Sequence, residues 1–159
     1  IMKKSLFLIT MILASSSWAA EDVVRYANEG SSLPISTAVE VNGLLFHSGV
    51  IPSPADSAAE RGTAAFWGNT EAQADSVLSK IQASLQAKGL DMADIVKLNV
   101  SLVGDPANDN RMDFSGFMSA YTRYFGEASG GALPARAVVQ VAGLVAPGMM
   151  VEIEAIAAR

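Results

Sequence analysis

Three features of the sequence predict an α+β fold with the order β-β-α-β-α-β-β. An Asn42-Gly43 pair separates two short alternating runs, two segments carry apolar residues at helical spacing and each meets a glycine, and period-two runs fill the rest of the second half. Two helices and a mixed sheet make two layers, with both helices on one face of the sheet.

The first twenty residues are of a different kind from the rest. Met2-Lys3-Lys4 is a cationic start, Leu6 to Ala14 is apolar except for Thr10, and Ser15 to Ala20 are small apart from Trp18. That order fits a secretory signal peptide over residues 1–19, cleaved after Ala19. The apolar run is shorter than the about 20 residues needed to span a bilayer. The expectation is a single domain over residues 20–159, periplasmic or secreted, with no membrane attachment after cleavage.

Residues 21–32 read as an irregular lead-in. Ala38 to Val41 and Leu44 to Ser48 form a hairpin about Asn42-Gly43, a pair suited to the type I′ turn and its two positive φ angles. Residues 49–69 are polar and turn-rich and end near the aromatic pair Phe66-Trp67, which either covers a pocket or pins the loop. Thr70-Glu71-Ala72-Gln73 has the capping-box pattern, and Ala74, Val77, Leu78, Ile81 and Leu85 then recur at helical spacing up to Gly89. Val96, Leu98, Val100 and Leu102 alternate with Lys97, Asn99 and Ser101 as a half-buried strand. A second helix begins near Asp113, carries Phe114, Phe117, Met118, Tyr121 and Phe125 on one face as core packing, and ends at Gly126. Pro134-Ala135-Arg136 leads into a strand from Ala137 to Val141, and the last strand runs from Met149 to Ala157. The second face of the sheet is rich in apolar and small residues, which points to burial against other subunits.

Composition excludes several chemistries. The chain of 159 residues has no cysteine, hence no thiol nucleophile, disulfide or thiolate metal site, and His47 is its only histidine, so no site needing two imidazoles exists. Sixteen acidic residues against eleven basic ones give a net charge of −5, which becomes −7 without Lys3 and Lys4. Nucleic acid is not an expected partner of so acidic a chain.

Few residues remain to carry chemistry. Arg136 stands at a strand entrance, where a guanidinium can grip a carboxylate through two parallel hydrogen bonds; a solvated or ion-paired surface arginine is the plainer alternative. Glu152 and Glu154 share a strand face, which suits acid/base work but also describes any strand with one wet side. His47 is more simply a hydrogen-bonded structural imidazole than a catalytic one. No phosphate-cradling glycine loop is present.

From Leu33 to Arg159 these residues resemble the Rid (reactive intermediate deaminase, YjgF-like) family. The resemblance is carried by Pro134-Ala135-Arg136 through Leu144 to Val151-Glu152-Ile153-Glu154-Ala155-Ile156-Ala157. Phe46-His47-Ser48-Gly49, the Gln73 helix ending at Gly89, Asp94-Ile95-Val96-Lys97 and Tyr121 to Phe125 support it. It implies a homotrimer of chorismate-mutase-like subunits with clefts between neighbouring chains. It also implies hydrolysis of 2-imino acids or their enamine tautomers to 2-keto acids and ammonia, with neither metal nor organic cofactor. On this resemblance Arg136 binds the substrate carboxylate, Glu152 positions or activates water, and Gly49 lines the cleft. Ile35 and Met118 stand at substrate-contacting positions where many members have tyrosine and asparagine. Val50 and Val138 replace a glutamine and a cysteine, the loop over residues 56–69 is longer, and one residue is added between arginine and glutamate. These replacements imply a more apolar pocket. A non-catalytic trimer that binds a small carboxylate is the alternative, and an endoribonuclease-like activity fits the charge less well.

Overall fold

The computed structural model describes residues 22–159, so the expected signal peptide over residues 1–19 lies outside the described residues. Six strands form one sheet in the order β1-β2-β3-β6-β4-β5: β1 (Val24–Ala27), β2 (Ser36–Val41), β3 (Leu44–Val50), β4 (Ile95–Val103), β5 (Ala135–Val141) and β6 (Val151–Ala158). Every neighbouring pair is antiparallel except β4 and β5, which are joined by a crossover and run parallel. The helices α2 (Thr70–Gln86) and α3 (Phe114–Tyr121) cover one face, and a single turn, α1 (Ala64–Trp67), precedes α2.

The core lies between that face and the helices. Leu98, Val100 and Leu102 of β4 and Val151, Ile153, Ala155 and Ala157 of β6 meet Ala74, Val77, Leu78, Ile81 and Leu85 of α2 and Phe117 of α3, all buried. The intervening residues Asn99, Ser101, Glu152 and Glu154 face the open side, as the period of two requires. That open side also presents Phe46 and Val139, 41% and 53% exposed. Among the described residues, no helix is long and apolar enough to cross a membrane.

The expected hairpin is present: Ala38 to Val41 pairs with Leu44 to His47, and Asn42 and Gly43 adopt φ of 56° and 72°. Three expectations are corrected. The lead-in contains β1, whose Val24, Arg25 and Tyr26 pair with Glu40, Val39 and Ala38; the Tyr26 hydroxyl donates to Glu40 at 2.8 Å. The turn-rich loop contains α1, capped by Thr63. The cap of α2 is Asn69, whose side chain accepts from the Ala72 amide at 2.9 Å, so Thr70-Glu71-Ala72-Gln73 is not a capping box.

Gln73 is instead wholly buried. Its amide nitrogen donates to Gly68 O and Gly148 O, each at 3.0 Å, and its oxygen accepts from the Met150 amide at 2.7 Å. One side chain thereby joins the start of α2 to the approach to β6. Phe66 and Trp67 pin the loop. They meet edge to face at 4.7 Å, pack with Met149, and Trp67 Nε1 donates to Pro147 O at 2.9 Å.

Candidate functional site

The expected site residues fall into two groups. Arg136 lies near the start of β5, an edge strand, with its side chain on the helix face. The guanidinium carbon sits 4.3 Å from the ring centre of Tyr121, 5.4 Å from that of Phe117 and 5.8 Å from that of Phe114, and Nη1 reaches Met118 Sδ at 3.2 Å. Among the described residues no carboxylate pairs with it. A half-buried cation held by aromatic rings and a thioether keeps its hydrogen-bonding fork free for an anion. Phe114 is 42% exposed, not core as its place on the stripe predicts, and joins Met118 in this cradle, so the aromatic stripe of α3 serves both core and cation.

The second group gathers where β3 and β6 meet. The pairing of these strands is interrupted by a bulge between His47 and Val50, and Gly49 lies in it. A Cβ at Gly49 would collide with Glu152 Oε1, so the carboxylate occupies the space that the missing side chain leaves. Glu152 pairs across the ladder with Ser101 and Glu154 with Asn99, confirming that the two carboxylates share the open face. They differ in their partners: Asn99 donates to Glu154 at 3.3 Å, whereas Glu152 has no hydrogen bond among the described residues.

Beside Gly49 opens a cavity of ≈ 260 Å³, with Ile35 at its rim. Gly49 thus borders both the cavity, which Ile35 also lines, and the Glu152 carboxylate, which does not line it, and Arg136 comes together with Met118. The two groups do not meet within one chain, because Arg136 is on the helix face of β5 and Glu152 on the open face of β6, with β4 between them.

The cavity is less apolar than expected. Asn28, Thr37, His47, Ser48, Lys80 and Ser84 line it together with Ile35, Val50 and Ile51. His47 is hydrogen-bonded at both ring nitrogens, to Ser48 O at 2.9 Å and to Ser84 Oγ at 2.8 Å. Burial, opposed by the Ser48 bond and assisted by the charge of Lys88, holds it below the ordinary histidine value of 6.5. The ring is therefore neutral at pH 7, and the plainer reading of His47 stands. Sequence reasoning missed Lys80 and Ser84. They lie four residues apart on one flank of α2, with Lys88 four further on just past its end, a polar row beside the apolar stripe that the sequence does display.

Comparison with known proteins agrees with this architecture. The endoribonuclease L-PSP family matches residues 29–159. A RutC family protein of Synechocystis is 34% identical over 124 residues, covering 78% of this chain and 85% of its own. Reactive Intermediate Deaminase A, chloroplastic, of Arabidopsis thaliana is 31% identical over 147 residues, covering 90% of this chain and 68% of its own. Among solved structures, E. coli TdcF with bound serine superposes with a TM-score of 0.64 at 29% identity, covering 82% of this chain and 91% of that one. A YjgF family member from Neisseria meningitidis superposes with a TM-score of 0.62 at 27% identity, covering 87% and 95%. With a family match over nearly all the described residues and relatives above 30% identity along most of their own length, the chain belongs to the endoribonuclease L-PSP family, the YjgF/Rid proteins.

Proposed function

We propose that this protein hydrolyses 2-imino acids, or their enamine tautomers, to 2-keto acids and ammonia, in clefts shared between the subunits of a homotrimer. The observation that carries the reading is the division of polar groups. An unpaired guanidinium lies in an aromatic cradle on one face of the sheet, and an unpaired carboxylate lies over Gly49 on the other. Each is half of a site. A neighbouring copy that covers the apolar open face would bring the Arg136 half of one chain to the Glu152 half of the next.

The chemistry needs little more. The fork of Arg136 binds the substrate carboxylate and fixes the C=N carbon in place. Glu152 accepts a proton from water as its oxygen adds to that carbon, and returns a proton to nitrogen. The tetrahedral carbinolamine then loses ammonia and leaves the 2-keto acid. An iminium carbon is already electrophilic, so orientation and proton transfer suffice. The name of the Arabidopsis relative and the serine bound in the E. coli structure agree with amino-acid-derived ligands. A chain of net charge −5 lacks the cationic surface that an RNA substrate needs. We extend the proposal to location: the signal-like start over residues 1–19 would direct the protein to the periplasm or the medium.

The test generates 2-imino acids in place with an amino-acid oxidase, traps them with semicarbazide and measures how much the protein diverts from the trap. Wild type is expected to divert the imine, and R136A to lose at least about a hundredfold in rate while keeping its oligomeric state. Full activity in R136A would overturn the assignment. Stabilisation by 2-keto acids without turnover would instead identify a binding protein.

A further inference from the structure

The cavity beside Gly49 has the wrong sign of charge for so acidic a chain. No carboxylate lines it, and the Lys80 ammonium does. Lys80 folds back from α2 to donate to Ile51 O at 2.8 Å, which uses one of its three N–H groups and leaves two free. Partial burial pushes it below the ordinary lysine value. Among the described residues it has no ion-pair partner.

A second ammonium stands behind the wall. Lys88 lies 4.9 Å from the ring centre of Tyr26 and donates to Ser84 Oγ at 2.8 Å and Ser84 O at 3.0 Å. Ser48 O can only accept, so Nδ1 of His47 carries the proton. Nε2 of the neutral ring then accepts a hydrogen bond from the Ser84 hydroxyl. The Ser84 oxygen, turned toward Lys88 and His47, is thereby fixed. The wall is a hydrogen-bonded row with no carboxylate in the cavity lining, and Glu40, which accepts from Tyr26 behind it, is paired with Arg159, so the two ammonium groups leave the cavity attractive to negative charge.

We propose that this cavity is the side-chain pocket of the deamination cleft and that Lys80 is its anion receptor, so that the preferred substrates are 2-imino acids bearing a second, side-chain carboxylate. The inference rests on the reading that Gly49 and Glu152 belong to that cleft. Arg136 would hold the carboxylate beside the reacting carbon and Lys80 the distal one. Lys80 is a specificity-determining residue here and takes no part in the proton transfers.

Two measurements at constant ionic strength test it. In the first, the thermal midpoint is followed with 2-oxoglutarate and with 2-oxopentanoate, which share a five-carbon chain and differ in the distal carboxylate. Wild type is expected to be stabilised more by 2-oxoglutarate, K80M to lose that difference and K80R to keep it; K80Q replaces K80M should the latter not fold. In the second, diversion from semicarbazide is compared for the imines of glutamate and norvaline, and the ratio of kcat/KM values is expected to fall at least about tenfold in K80M. Equal stabilisation of wild type by the two keto acids, or an undiminished difference in folded K80M, overturns the pocket. Turnover of the norvaline imine with no preference for the distal carboxylate overturns the pocket and leaves the deaminase reading. A Lys80-dependent preference for 2-oxoglutarate with no turnover of either imine overturns the deaminase reading and leaves the pocket.

Discussion

At Gly49 the missing side chain makes room for a carboxylate. The Glu152 carboxylate occupies the space that a Cβ would need, and the atom in the way is the far end of a flexible side chain. G49A is therefore expected to swing the carboxylate aside without disturbing the core. Deaminase activity should fall by up to about a hundredfold, the order that a 1 Å misplacement can cost, while the thermal midpoint stays near wild type. Parallel activity and melting measurements on the purified variant check this. His47 makes a different expectation at the same scale. Burial lowers its pKa in the folded protein, so the unfolded chain binds the proton more readily. Its contribution to stability is complete above 6.5 and is lost as pH falls toward the folded value. The thermal midpoint of wild type should accordingly drop more steeply than that of H47Q as pH is lowered from 7.5 to 5.5.

Among the elements, the start of α2 is the junction on which the loop and β6 depend. Replacing Gln73 by leucine leaves the buried Met150 amide without a partner and removes the part-buried bonds to Gly68 O and Gly148 O. The loss expected is about 3 kcal/mol or more, seen as a fall in thermal midpoint of about 10 °C at fixed protein concentration. Sequence periodicity located α2, α3, the hairpin and the last three strands, because each buries one face and its apolar spacing records that burial. It did not reveal β1, whose four residues carry too short an alternation and whose place depends on a pairing with β2. Nor did it reveal the true role of Gln73: a capping box and a buried amide leave the same residue three places after a threonine. Arg136 and Glu152 stand out as candidates only through the family pattern. Their separation onto opposite faces follows from strand order, which local spacing does not encode. Lys80 and Ser84 were hidden because a polar row beside an apolar stripe is also how an ordinary solvated helix flank looks.

In the whole molecule, the two half-sites and the open apolar face lead to the same conclusion. Phe46 and Val139 stand exposed on the face that also carries Glu152, while the unpaired guanidinium lies on the other side at the edge of the sheet. A head-to-tail ring of three copies would cover the first and complete the second. The most direct test mixes two inactive variants. R136A retains Glu152, E152Q retains Arg136, and each alone should be inactive. Unfolded together in equal amounts and refolded, they assemble at random, so that over all rings, mixed and unmixed, about one cleft in four draws both functional groups from different chains, and about a quarter of wild-type deaminase activity should return. A mixture no more active than its separate components, although mixed oligomers have formed, would contradict a site shared between subunits.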